Sequence, residues 1–155
     1  MGKEVMRRRA ADNPYLHKDF HGALSVGLDY LAEHYGPQAV KDYLRRFART
    51  FYAPLIADLK KRGLAALKDH FTRVYQIEGG QPRFTLSRDE LRIEVEACPA
   101  VTHMRAHGYP VSPHWVETTR TVNEALCEGT AYAAELRDYD PETGRCVQRF
   151  YRRPS

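Results

Sequence analysis

Along this 155-residue chain the spacing of apolar residues changes at Gly79-Gly80, and few folds accommodate that change. Before it, Leu16, Phe20, Leu24, Leu28, Leu31 and Tyr35 recur at steps of three and four, which stacks them on one face of a helix. Lys18, Asp19, Asp29 and Glu33 fall on the opposite side. Asn13-Pro14 supplies a cap and a first-turn proline, Gly36 ends the helix, and Pro37 opens the next. Val40, Tyr43, Leu44, Phe47 and Phe51 predict a second amphipathic helix, which Pro54 should break or kink. Leu64, Leu67, Phe71, Val74 and Tyr75 predict a third, stopping at Gly79-Gly80.

Beyond the glycines the period falls to two. Leu91, Ile93, Val95 and Ala97 alternate with Arg92, Glu94 and Glu96, which describes a half-buried strand. Phe84 and Leu86 predict a strand before it, with Ser87-Arg88-Asp89 as the turn. A short helix is expected from Pro99 to His107 and a longer one between Pro113 and Glu128. Tyr132, Ala134 and Leu136 then face Cys146, Gln148 and Phe150 across the turn residues Asp140 to Gly144. The expected fold is α+β: a helical N-terminal half packed on an antiparallel sheet, in the order ααα–ββ–αα–ββ. Residues 1–12 read as a flexible basic arm and 13–155 as a single domain.

Charge narrows the partners. The net charge is +4, but Lys3, Arg7, Arg8 and Arg9 against Glu4 place +3 in residues 1–9, leaving about +1 for the rest. A nucleic-acid binder needs a basic face on its folded part, so no nucleic acid is expected. No apolar run reaches the ~18 residues of a membrane span, and no apolar stretch follows the arginines as in a secretory signal. The expectation is a cytoplasmic protein with no membrane partner. Cys98, Cys127 and Cys146 are widely spaced and form no CxxC pair, so they read as thiols, either buried or reactive.

Cys98 is the most informative residue. It falls where a strand stops and a helix begins, with Pro99 in the first turn. Free N–H groups and the helix dipole at such a site lower a thiol pKa and favour the nucleophilic thiolate. The alternative is a buried cysteine filling space beside the sheet. His17 with His21, and His103 with His107, are both HxxxH pairs that share a helical face. Lys18 and Met104 occupy the glutamate position of the zinc-protease motif, so a metalloprotease is unsupported and no metal site is assigned. A histidine acting as general acid or base is the stronger reading. His21, with His17 as its partner, lies by the apolar stripe; His103 and His107 lie opposite Val101 and Met104. On the closing hairpin, Tyr132, Cys146 and Gln148 would line a small-molecule pocket. The alternative buries the other face of that pleat, with Val147 and Tyr151 inside.

Cys98-Pro99 after an alternating strand, the closing run Gly144-Arg145-Cys146-Val147-Gln148-Arg149-Phe150, and Tyr35-Gly36 before an amphipathic helix together resemble the L-2-amino-thiazoline-4-carboxylic acid hydrolase family. Arg145 stands near where that family has an acidic residue, and the HxxxH pairs lie outside its pattern. The element order also looks like vinyl-reductase-type and haem-NO-type ligand-binding domains. The resemblance implies a small hydrolase acting on a cyclic amidine or related C–N bond. In that reading Cys98 is nucleophile or polar anchor, His21 and His17 do acid–base work, and Tyr132, Cys146, Gln148, His103 and His107 contact substrate. No cofactor is expected. The alternatives are a non-catalytic small-molecule-binding or sensor domain, and a metal or haem protein using one HxxxH pair. A homodimer is the expected assembly.

Overall fold

In a computed structural model, which describes residues 18–155, four helices precede the first strand. They are α1 (Asp19–Tyr35), α2 (Pro37–Phe51), α3 (Ala53–Arg62) and α4 (Leu64–Glu78). Strands β1 (Arg83–Leu86) and β2 (Glu90–Val95) follow, then α5 (Pro99–Ala106), α6 (Glu117–Cys127), β3 (Tyr132–Arg137) and β4 (Cys146–Arg152). The basic arm, Asn13-Pro14, Leu16 and His17 lie outside the described residues. The chain is α+β, and its four strands form one antiparallel sheet in the order β1-β2-β4-β3.

One helix more than expected is present before the sheet. Pro54 does break the second helix, but it sits in the first turn of α3, where its missing N–H has no helical partner to lose. Leu55, Ile56 and Leu59 then pack inward, and Gly63 (φ +69°) ends the segment. The order is therefore αααα–ββ–αα–ββ. The predicted helix after Pro113 starts later, at Glu117, because residues 113–116 form a turn that buries Trp115.

Two clusters form the core. The sheet and the helices on it enclose Leu59, Leu67, Leu91, Ile93, Leu126 and Phe150. Leu28, Val40, Leu44, Val101, Met104 and Trp115 form the second, among α1, α2 and α5. The expected stripes need correction here. On α2 the buried positions are Val40, Leu44 and Ala48, whereas Tyr43, Phe47 and Phe51 are exposed. On α1, Leu28 and Ser25 are buried, while Phe20 and Tyr35 are exposed. Asp29, expected in solvent, accepts a hydrogen bond from Ser112 Oγ.

The closing hairpin settles which face is inside: Cys146, Gln148 and Phe150 are buried, and Val147 and Tyr151 are half-buried. Phe150 is fully buried between Leu91 and Ala134 on the neighbouring strands and against the Phe71 ring, 5.6 Å away. Phe150→Ala should therefore lower the unfolding free energy by about 3–5 kcal/mol, measured by urea denaturation.

Candidate functional site

The C-terminus of α4, the N-terminus of α5 and the turn between β3 and β4 meet at two glycines. A Cβ on Gly80 would lie 2.8 Å from both the Tyr75 ring and Pro99, and one on Gly144 would lie 2.3 Å from the Cβ of Cys98. Gly144 also has φ +70°, a conformation natural to glycine. The backbone closes the seam: the Cys98 N–H donates to the Thr143 carbonyl at 2.9 Å. Arg105 donates from α5 to the carbonyls of Pro141 and Glu142, holding the turn in place.

This seam gathers polar and ionisable groups from α1, α4, the N-terminus of α5, α6 and β4. His21 of α1 places Nε2 at 3.1 Å from both oxygens of Glu78, the last residue of α4. Its ring stands edge-on to the single tryptophan, Trp115, with centroids 6.1 Å apart. Trp115 and the Glu78 carboxylate both act on the Cys98 thiol, the first lowering its pKa and the second raising it. Behind them Asn123 donates to Gln148 Oε1 at 2.8 Å, and Gln148 Nε2 donates to the Tyr75 hydroxyl at 3.0 Å. Every buried side-chain polar atom among the described residues is partnered.

Of the two readings of the thiols, burial outweighs activation. Burial pushes the Cys98 thiol above the ordinary range; the N–H groups of Val101 and Ala100 pull it down, the Glu78 carboxylate pushes it up, and Trp115 pulls it down. A thiolate-favouring helix N-terminus is present, but desolvation outweighs it. Cys146 is driven to about 12, mainly by burial and then by the neighbouring Cys98. Cys127, buried elsewhere, is also driven to about 12 by burial. All three are free thiols. Tyr75 is raised by burial, with Cys98 and Cys146 adding to the effect, and Tyr139 is raised to about 12 for the same reasons.

A cleft of about 590 Å³ opens beside this cluster, between the end of α4, the end of β2 and α5. Tyr75 and Glu78 form part of its lining, with Lys18, Glu96, His103 and His107 around them. The His103 and His107 rings lie 4.1 Å apart, and His103 Nε2 is 3.0 Å from Asp19 Oδ1, so His103 is held rather than solvated. A second cleft of about 520 Å³ lies beyond β2 and includes Cys146, Arg145 and Asp138 in its lining. No three His, Cys, Asp or Glu side chains among the described residues stand together as a metal site.

Of the predicted site residues, Cys98, His21, Cys146 and Gln148 join one network, and His103 and His107 line the adjoining cleft. Tyr132 does not join them. It pairs with Arg152 at the far end of β4 from Cys146, six residues or about 20 Å away along the strand. There its hydroxyl faces Gly63 and accepts from Arg152 at 3.1 Å. His17 lies outside the described residues, and the partner found for His21 is Glu78. Glu78, Trp115, Tyr75, Asn123 and Tyr139 were not anticipated. Glu78 did carry a signal, because a carboxylate ending a helix opposes the helix dipole and needs a compensating partner.

The fold and site together define a small α+β domain with a half-buried thiol–carboxylate–imidazole cluster beside an open cleft. No protein-family model matches this chain, and no curated protein matches it. No helix among the described residues is long and apolar enough to cross a membrane.

Because burial holds Cys98 protonated, its alkylation by iodoacetamide should be slow at neutral pH and keep accelerating above pH ~9; a rate plateau near pH 7 would contradict this. Gly144→Ala would force the turn off Cys98. It should cost about 2 kcal/mol or more in urea denaturation and speed that alkylation.

Proposed function

We propose that this protein is a small hydrolase acting on a C–N bond of a cyclic amidine or a related small molecule, held in the cleft over Tyr75 and Glu78. The observation that carries this reading is the position of Glu78. One carboxylate binds the His21 imidazole, acts on the Cys98 thiol and lines the cleft. The likeness of Cys98-Pro99 and of the closing Gly144-to-Phe150 run to the L-2-amino-thiazoline-4-carboxylic acid hydrolase family supports the same reaction class.

The chemistry follows from these groups. An amidine is cationic near neutral pH, and Glu78 with Glu96 supplies the opposite charge in the cleft. Water adds through its oxygen to the amidine carbon as one of its protons passes to the His21–Glu78 pair. The tetrahedral intermediate collapses when that proton is delivered to the leaving nitrogen: the C–N bond breaks, the hydroxyl's remaining proton passes to the His21–Glu78 pair, and a carbonyl remains. Cys98 enters as a neutral thiol. It lies beside the cleft rather than in its lining, and serves as a polar anchor from there, or as a nucleophile if its proton first moves to Glu78, in which case water then cleaves the C–S bond and the thiol regains its proton.

The raised Cys98 pKa also favours a second reading, a non-catalytic small-molecule-binding domain, since a protonated thiol is a poor nucleophile. A panel of cyclic amidines, followed by mass spectrometry for the hydrolysed product, separates the two. Glu78→Gln should lower turnover by about 100-fold or more and also weaken substrate binding, since Glu96 alone then opposes the amidine charge. Cys98→Ala should abolish turnover if the thiol is the nucleophile and reduce it partially if it is an anchor. Binding without turnover in the wild type would overturn the hydrolase in favour of the binding domain.

A further inference from the structure

The first turn of α1 contributes to two carboxylate–imidazole pairs at the same cleft. Asp19 and His21 stand two residues apart and so point to different neighbours: His21 to Glu78 on α4, Asp19 to His103 on α5. The two pairs face the cleft in opposite senses. In the first, the Glu78 carboxylate lines the cleft and the imidazole stands behind it; in the second, the His103 imidazole lines the cleft and the carboxylate stands behind. The α4 wall therefore presents a proton acceptor and the α5 wall a proton carrier.

The His103 ring is held by its neighbours. Its Nε2 lies 3.0 Å from Asp19 Oδ1, and the Tyr109 hydroxyl donates to the same oxygen at 3.1 Å. The His107 ring lies 4.1 Å from it, Tyr109 stacks on His107 at 5.7 Å, and His107 Nδ1 donates to the His103 carbonyl at 2.8 Å. The side chain keeps only 17% of its surface exposed. Nδ1 bonds to no described residue, and no unpartnered polar atom among these residues is buried, so this second nitrogen is open to an incoming group.

We propose that His103 is a second acid–base residue of this site, the one that hands the leaving nitrogen its proton. This rests on the hydrolase reading and adds to it. There the His21–Glu78 pair must give one proton to nitrogen and take another from oxygen during the same collapse, and a donor on the other wall separates the two tasks. His103, as imidazolium, passes its Nδ1 proton to the leaving nitrogen while the C–N bonding electrons move onto that atom. The proton that the pair took from water recharges His103, which frees the pair for the hydroxyl's remaining proton. Asp19 and Tyr109 are positioning residues. Asp19 orients the ring and compensates its charge, as the carboxylate behind a general-acid imidazole does, and Tyr109 holds Asp19. The other ionisable groups around the ring are His107 on its own helix and, in the lining of the cleft, Lys18, Glu78 and Glu96.

Steady-state kinetics of the full chain across pH test the proposal, on a cyclic-amidine panel that begins with 2-iminopyrrolidine and 2-amino-2-thiazoline. His103→Gln keeps an N–H for Asp19 but carries no exchangeable acid. It should lower kcat by about 100-fold with KM little changed, and it should remove the fall in kcat that the wild type shows as rising pH deprotonates its acid. His103→Ala should lose as much activity and recover roughly tenfold or more when free imidazole is added, because the small acid enters the space left beside Asp19. Asp19→Asn should lower kcat by a smaller factor. Far-ultraviolet circular dichroism should be unchanged in all three. An active wild type whose His103→Gln variant keeps its kcat and its alkaline fall, or whose His103→Ala variant is not restored by imidazole, overturns this proposal and leaves the hydrolase standing. A wild type that turns over no member of the panel overturns both.

Discussion

Two absent Cβ atoms determine how closely the helices of this protein approach its sheet. At Gly80 the end of α4 comes against Pro99, and at Gly144 the closing turn comes against Cys98. Without those approaches α5 would stand off from both neighbours, and Tyr75, Glu78, Cys98 and Cys146 would belong to separate surfaces. The contacts are short-range repulsions avoided rather than attractions gained. A single added methyl group would therefore act on the whole arrangement, because a packed interior has no slack to absorb it.

What the seam assembles is dominated by desolvation. The N-terminus of α5 offers Cys98 two N–H groups, and Trp115 offers a third donor, yet the thiol still rises. Stabilising a charge at a helix end is worth about 0.3–1 kcal/mol at the surface and up to ~2 in partly buried sites. Withdrawing that charge from water costs several. Glu78 adds to the cost by sitting near the same sulfur. The carboxylate is itself held by His21, and burial leaves the sulfur neutral. Such a site binds and protonates readily, and generates a thiolate only when a base takes the proton.

Much of this was legible in the chain, and the failures have physical causes. Alternation located every strand, because a half-buried sheet enforces a period of two residue by residue. The segment Ala53–Arg62 was missed because Pro54 and Gly63 read as interruptions, whereas each is a normal helix end. The aromatic stripe of α2 misled for a different reason. Its core face is built from Val40, Leu44 and Ala48, residues with weaker hydrophobic signal than the rings beside them. Periodicity reports that a helix has an apolar face, not which apolar residues the core has room to take. His21 and Glu78 lie 57 positions apart, and no local pattern encodes a pairing of that kind. Cys98-Pro99 does stand at the start of α5 as the sequence predicts, but its electrostatics depend on packing that spacing cannot report.

The two faces of α1 link the site to the surface. His21 projects inward to Glu78 and Trp115, while Ala23, Val26 and Tyr30 look outward from the adjoining turns. The helix is held mainly by α2 and α5 and has no place against the sheet. Its second core cluster is smaller than the one on the sheet, and only Ser25 and Leu28 of α1 are fully buried within it. An element with so little buried area is among the easier parts of a fold to open. Anything that covers its outer face therefore also steadies the imidazole on its inner one.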